Sequence, residues 1–149
     1  MKSTAMIRKA APADVSLVVE LLRSEDLPTE DLRPDLENFW IAVDAGQAVG
    51  LIGLDLYPPF GLLRSMLVIK TQRNKGLASR LVEMLETRAR ELELTTLFLI
   101  TNTAENYFRK KGFTPIPRSA VPDAVAMSGE MNGLCPASSV IMRKPITQQ

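Results

Sequence analysis

Histidine is absent from this chain. Its absence removes the commonest general base and the commonest metal ligand together. Ser-His-Asp and Cys-His nucleophilic catalysis are excluded with it. The one cysteine, Cys135, can close no internal disulfide and can build no cysteine-rich zinc site. A small buried apolar role suits it better. An excess of charge is missing as well: 18 Lys and Arg against 17 Asp and Glu leave a net charge of +1. That balance lacks the electrostatic footprint of a nucleic-acid binder. No apolar run approaches the roughly 18 residues that a transmembrane helix needs. The opening "MKSTAMIRKAAPADVS" lacks the apolar centre of a signal peptide, and the closing "KPITQQ" reads as a frayed tail. The expectation is a soluble cytoplasmic protein with no membrane partner, no nucleic-acid partner and no metal.

What is present is enough for a core. The chain has 149 residues, 46% of them hydrophobic and 23% charged, which fits one domain over residues 1–149. "AMIRKA" reads as a strand. "APADVSLVVELLRSE" reads as a helix with Pro12 and Asp14 in its first turn and Val15, Val18, Val19 and Leu22 along one stripe. "DLPTEDLRPDLENF" reads as a second helical region, broken by Pro34, with a capped turn over residues 29–32. Residues 39–43 and 48–56 form a hairpin about the turn "DAGQ". "LLRSMLVIK" is a strand buried on both faces. Residues 77–92 form the clearest helix, with Leu77, Leu81, Val82, Leu85, Ala89 and Leu92 at helical spacing. After it come the strand "TTLFLIT", the helix "AENYFRKKG" stopped by Gly112, the extended "FTPIP", a weak helix "DAVAMSGEMNGL" and a last strand "ASSVIMRK". The order is β-α-α-β-β-β-α-β-α-β-α-β. It implies a mixed α/β (α+β) sheet, parallel across the strand-helix-strand unit and antiparallel at the hairpin.

One stretch points to a ligand: "LVIKTQRNKGLASRLVEML", residues 67–85. A strand breaks into Gln72-Arg73-Asn74-Lys75-Gly76 and resumes as a helix. A helix N-terminus offers unpaired N–H groups and partial positive charge, and it binds phosphate if the loop before it allows close approach. Gly76 removes a side chain there, Ala78 keeps the next position small, and Arg73 and Lys75 add charge. Neither G-x-x-x-x-G-K-[ST] nor G-x-G-x-x-G is present. The P-loop hydrolases are thereby excluded, and a dinucleotide fold lacks support.

Arg-x-x-Gly-x-Ala between a strand and a helix resembles the GCN5-related N-acetyltransferase (GNAT) superfamily, as does "AENYFRKKGF" at residues 104–113. The resemblance implies a mixed central sheet with a splayed strand pair flanked by helices. It also implies acetyl-coenzyme A as cosubstrate and no metal. Residues Arg73, Asn74, Lys75, Gly76, Leu77, Ala78 and Ser79 would hold the pyrophosphate. Leu67, Val68 and Ile69 would pair with the pantetheine arm, and the Leu67 N–H would serve as oxyanion donor. Asn102 and Asn106 would be further coenzyme contacts. Transfer would be direct, from the thioester to the amine of a small, acidic, amino-acid-like molecule. The tyrosine that often protonates the leaving thiolate falls on Phe108, with Tyr107 about 100° away around the helix.

A base is needed, and Asp55 near a strand end is the carboxylate candidate, against a plain solvent-facing role. Arg64 lies in an apolar strand and needs an anion. That anion is either a substrate carboxylate or an internal partner such as Asp55. Arg118 is a second substrate candidate. The stretches at 26–32, 62–68 and 134–140 resemble acetyltransferases of bacterial arsenic-resistance operons, which implies arsenic-related detoxification. Cys135 alone makes a poor chelator of arsenic. A different class of function stays open: an acyl-coenzyme A-binding sensor or regulatory module without turnover. Exposed sheet edges leave a homodimer open.

Overall fold

A computed structural model describes residues 2–27, 29–30, 32–128 and 139–146. Its elements are β1 (Met6–Lys9), α1 (Val15–Ser24), β2 (Phe39–Asp44), β3 (Gln47–Tyr57), β4 (Phe60–Val68), α2 (Leu77–Glu91), β5 (Thr96–Thr101), α3 (Glu105–Lys110), β6 (Thr114–Ile116), α4 (Asp123–Ala126) and β7 (Val140–Pro145). The strands form one sheet of seven in the order β1-β2-β3-β4-β5-β7-β6. β4 and β5 are parallel, with Phe60 beside Thr96 and Leu62 beside Phe98. β1–β2, β2–β3, β5–β7 and β6–β7 are antiparallel. The sheet is therefore mixed, as the element order implies.

By density of contacts the chain divides into two compact units, Met1–Leu54 with Ser65–Thr87 and Asp55–Arg64 with Arg88–Gln149. In the first unit the hairpin turn sits where "DAGQ" places it. Ala45 and Gly46 have φ of 51° and 78°. This is type I′ geometry, which matches the twist of the flanking strands. The core gathers Val18 and Leu22 of α1 against Phe39, Ile41, Leu51 and Leu67. Gly53 is required by packing: a Cβ there would stand 2.7 Å from the Phe39 ring. Gly53→Ala should cost about 1–3 kcal/mol by overpacking, read as a lower denaturation midpoint with an unchanged slope.

The second helical region does not form. No helix lies among the described residues of 26–38. Asp26, Leu36 and Asn38 have φ of 55°, 50° and 60°, a left-handed conformation that breaks a helix at each point. Leu36 is nonetheless fully buried. The segment is irregular chain pinned by a core residue. The capped turn expected at 29–32 includes Asp31, outside the described residues.

Pro12–Asp14 form a 3-10 turn that leads into α1. Asp14 accepts two hydrogen bonds from the Arg8 guanidinium, at 2.9 and 3.0 Å, and one from the Ala11 N–H at 2.8 Å. These contacts, the Arg8 bond foremost, hold the Asp14 carboxyl down to about 2. A carboxyl lowered in the folded state stabilises the fold above its ordinary value near 3.8 and loses that contribution as pH falls towards 2. Wild type should therefore lead Asp14→Asn in melting temperature at pH 6. The gap should shrink between pH 4 and 2.

In the second unit β7 lies between β5 and β6, with Thr101 opposite Val140 and Thr114 opposite Arg143. Leu62, Phe98, Val121, Val125 and Ile141 form its core. Gly112, at φ 95°, ends the α3 region as expected. "FTPIP" supplies β6. Only residues 123–126 of the weak helix are helical, and its continuation from 129, like Cys135, lies outside the described residues.

α2 carries the predicted stripe over Leu77, Leu81, Val82, Leu85 and Ala89, all buried, but it ends at Glu91, so Leu92 falls just past it and is half-buried. Its start is fixed in the first unit. A Cβ on Gly50 would stand 3.3 Å from the Leu67 carbonyl and 3.4 Å from Leu77, so the small residue in β3 lets the first turn of α2 settle close.

Candidate functional site

The loop between β4 and α2 bends through two left-handed residues, φ 65° at Asn74 and 81° at Gly76, after an extended Arg73 at φ −74° and ψ 156°. Turns of this kind can present backbone N–H groups to an anion. Among the described residues no acceptor binds the N–H groups of Asn74, Lys75, Gly76, Leu77 or Ala78. α2 follows directly, and its first turn carries no acidic side chain to compete for a ligand. A Cβ on Gly76 would meet nothing within 4 Å, so the face in front of the loop is open. The positive φ still selects glycine.

Arg73 is placed differently from a freely projecting charge. Its Nε donates to the Val68 carbonyl at 2.8 Å, and its guanidinium pairs with Glu25 at 2.8 Å. The side chain thus ties the loop to the end of β4 and to the end of α1. Lys75 enters no ion pair among the described residues, and its carbonyl accepts the Ser3 N–H at 2.7 Å.

The strand residues need reassignment. The Ile69 N–H donates to the Val49 carbonyl, and the Ile69 carbonyl accepts the Gln72 N–H, at 3.0 and 2.9 Å. Ile69 therefore spends its backbone on β3 and on the turn that opens the loop. Backbone groups of consecutive strand residues alternate in direction. Leu67, two residues before Ile69, faces β3 too, whereas Met66 and Val68 face away from it. Ser65 earlier in β4 is buried and has φ 58°, a left-handed conformation inside a strand.

The remaining candidates lie in the second unit. Arg64 is 3% exposed and its Nη1 donates to Asp55 at 3.0 Å. The internal partner is the reading of Arg64 that the structure displays. As a base, Asp55 would have to take a proton while it accepts the hydrogen bond of a buried guanidinium, which opposes that step. Asn102 accepts a hydrogen bond from Ser139 at 2.8 Å. Asn106 is exposed on α3, whose N-cap is Ala104, and the Thr101 hydroxyl accepts the Ala104 N–H at 3.0 Å. Neither asparagine caps the helix. Arg118 is exposed in the 3-10 turn Arg118–Ala120. Phe108 is buried, edge-on to Phe113 at 5.6 Å, so the position where relatives' tyrosines are expected carries a core ring.

Sequence reasoning missed Met66 and Glu25. Nothing local distinguishes Met66. Glu25 could have been suspected from its place at the end of an amphipathic helix. Among the described residues there is no group of three or more metal-ligating side chains, and no helix is long and apolar enough to cross a membrane.

Residues 9–113 match the family model described as the acetyltransferase (GNAT) family. An amino-acid acetyltransferase of Pseudomonas aeruginosa is 31% identical over 131 residues, which cover 80% of this chain and 30% of that protein. One from Pseudomonas putida is 29% identical over 132 residues, covering 81% and 30%. The chain thus spans about 30% of the length of these relatives. The N-acetylglutamate synthase from Neisseria gonorrhoeae, solved with coenzyme A and N-acetyl-glutamate, aligns with a TM-score of 0.82 at 20% identity, covering 99% of this chain and 36% of that one. A GNAT-family acetyltransferase from Staphylococcus aureus gives 0.77 at 20%, covering 97% and 100%. These two likenesses show the fold.

Proposed function

Because the chain belongs to the acetyltransferase (GNAT) family, whose model spans residues 9–113, we infer that it transfers an acetyl group from acetyl-coenzyme A to the amine of a small amino acid. The observation that carries this reading is the loop itself. The N–H groups of residues 74–78 have no acceptor among the described residues, Gly76 keeps its face open, and a helix N-terminus stands behind it. The N–H groups of residues 74–78 receive the pyrophosphate, whereas the Arg73 N–H already donates to the Lys70 carbonyl at 3.3 Å. Met66 and Val68, which face away from β3, pair with the pantetheine arm. One of their N–H groups stabilises the oxyanion as the amine attacks the thioester carbon. The carbon–sulfur bond breaks and the sulfur leaves as a thiolate. A thiol with an ordinary value near 8.5 leaves tolerably without an acid, so Phe108 is compatible with turnover. The proton of the attacking amine passes to water, because Asp55 is engaged by Arg64.

The similarity to amino-acid acetyltransferases and to an N-acetylglutamate synthase supports this acceptor class. A glutamate-like acceptor would offer a carboxylate to an arginine, but Arg64 could grip it only in competition with Asp55. The stretches at 26–32 and 62–68 extend the same class to arsenic-containing glutamate mimics. Arg118, Asn102 and Asn106 are the remaining contacts proposed on this reading.

The test is thiol release from acetyl-coenzyme A with glutamate, other amino acids, phosphinothricin, arsinothricin and a lysine peptide. Turnover on a free amino acid or analogue, with the peptide inert, is the expected result. Tight coenzyme binding with no turnover on any amine would favour the acyl-coenzyme A sensor instead. Absence of coenzyme binding would overturn the reading of the loop.

A further inference from the structure

We propose that Asp44 is a positioning residue for the phosphate loop, acting with Thr4 and Ser3 as a clamp that holds the loop in its anion-binding shape. The inference rests on the coenzyme site described above and assigns its control to residues outside the motif. Asp44 ends β2, far from the loop in sequence. One of its carboxylate oxygens accepts the Thr4 hydroxyl at 3.0 Å, and the other accepts the Gln72 side-chain amide at 3.0 Å. Gln72 is the residue immediately before Arg73. On the other side of the loop the Ser3 N–H donates to the Lys75 carbonyl at 2.7 Å. Ser3 is itself ordered locally, because its hydroxyl accepts the Ala5 N–H at 3.1 Å. Ala5 is buried. The segment before β1 and the end of β2 therefore hold the loop on both flanks of Arg73 and Asn74.

The geometry gives this clamp a specific effect. A trans peptide is planar, with its carbonyl and its N–H pointing in opposite directions. Fixing the Lys75 carbonyl on Ser3 directs the Gly76 N–H away from the N-terminal segment. That N–H is one of the groups without an acceptor. Glycine at 76 is conformationally permissive, so the sequence of the loop alone does not hold this orientation. The clamp removes the alternatives before the ligand arrives, which lowers the ordering cost of binding. Asp44 touches no ligand in this account and acts through Gln72 and Thr4.

Calorimetric titration of the full chain with coenzyme A tests the clamp. Asp44→Ala should weaken coenzyme A about tenfold. Asp44→Asn keeps one carbonyl oxygen for Thr4 or Gln72 and should recover part of that loss. In turnover, the KM for acetyl-coenzyme A should rise while kcat and the acceptor KM stay within about twofold of wild type, a split that general loosening of the fold would not produce. The pair Thr4→Val and Gln72→Met, each removing a single bond, keeps the test open should Asp44→Ala fold poorly. Each should weaken coenzyme A by a few fold. Unchanged affinity in the well-folded variants would overturn the clamp and leave the proposed function standing. A wild-type chain that fails to bind coenzyme A would overturn both.

Discussion

Replacing Gly76 with valine is expected to weaken coenzyme A binding by about 10- to 100-fold. Gly76 sits at φ 81°, where a β-branched residue is held only under strain of about 1–3 kcal/mol. Every 1.4 kcal/mol is a factor of ten in affinity. The valine would meet no protein atom on its Cβ, because nothing lies within 4 Å of that position. The fold therefore has little reason to reject the side chain, and the loss should fall on the ligand. Two effects combine. The loop relaxes towards negative φ and turns its N–H groups out of line, and the added carbons occupy the face proposed for the pyrophosphate. Gly76→Ala should show a smaller loss. Calorimetric affinity is the readout, with the melting temperature alongside. Wild-type affinity in the valine variant would mean that the open face of the loop is not where coenzyme A binds.

The second large effect concerns Arg64. Arg64→Ala should destabilise the chain by about 2–4 kcal/mol, a large part of the 5–15 kcal/mol that holds an ordinary domain. The guanidinium is almost fully buried and Asp55 is partly so, with side-chain exposures of 1% and 18%. Removing one member leaves the other poorly compensated. Removing both charges together, as in Arg64→Met with Asp55→Leu, should return most of the stability, since hydrophobic replacement of a buried pair is often near neutral. Urea denaturation of the two single variants and the double variant measures the coupling. A direct grip on the acceptor predicts something else: an unchanged midpoint for Arg64→Ala and a raised acceptor KM.

How much of this was legible beforehand depends on what each residue had to reveal. The stripe of α2 was legible because Leu77, Leu81, Val82, Leu85 and Ala89 recur at the helical period and are all buried. The turn at Ala45-Gly46 was legible because a short polar break containing glycine joined two strand patterns. The loop was legible because its glycine and cations stand at a strand-to-helix junction. The segment 26–38 was not legible. Its Leu32, Leu36 and acidic residues look helical, and nothing announces that Leu36 and Asn38 take left-handed conformations. The choice between Leu67 and its neighbours was not legible either. The direction of a strand's N–H groups follows register, and no residue type at 65–69 marks which way they point. The Arg64–Asp55 pair was foreseen as one of two outcomes, since the need for an anion is local but its supplier is not.

The two ends of the sheet also differ in what they offer a second strand. β6 is three residues long and its middle residue is Pro115, opposite Met142 of β7. Proline has no N–H to give, so this margin cannot template a continuous ladder, a standard natural defence against aggregation. β1 at the other margin keeps its full complement of donors and relies on Arg8 and Lys9 for protection. Any growth of the sheet by strand addition is therefore funnelled to the N-terminal margin, beside the segment that clamps the loop.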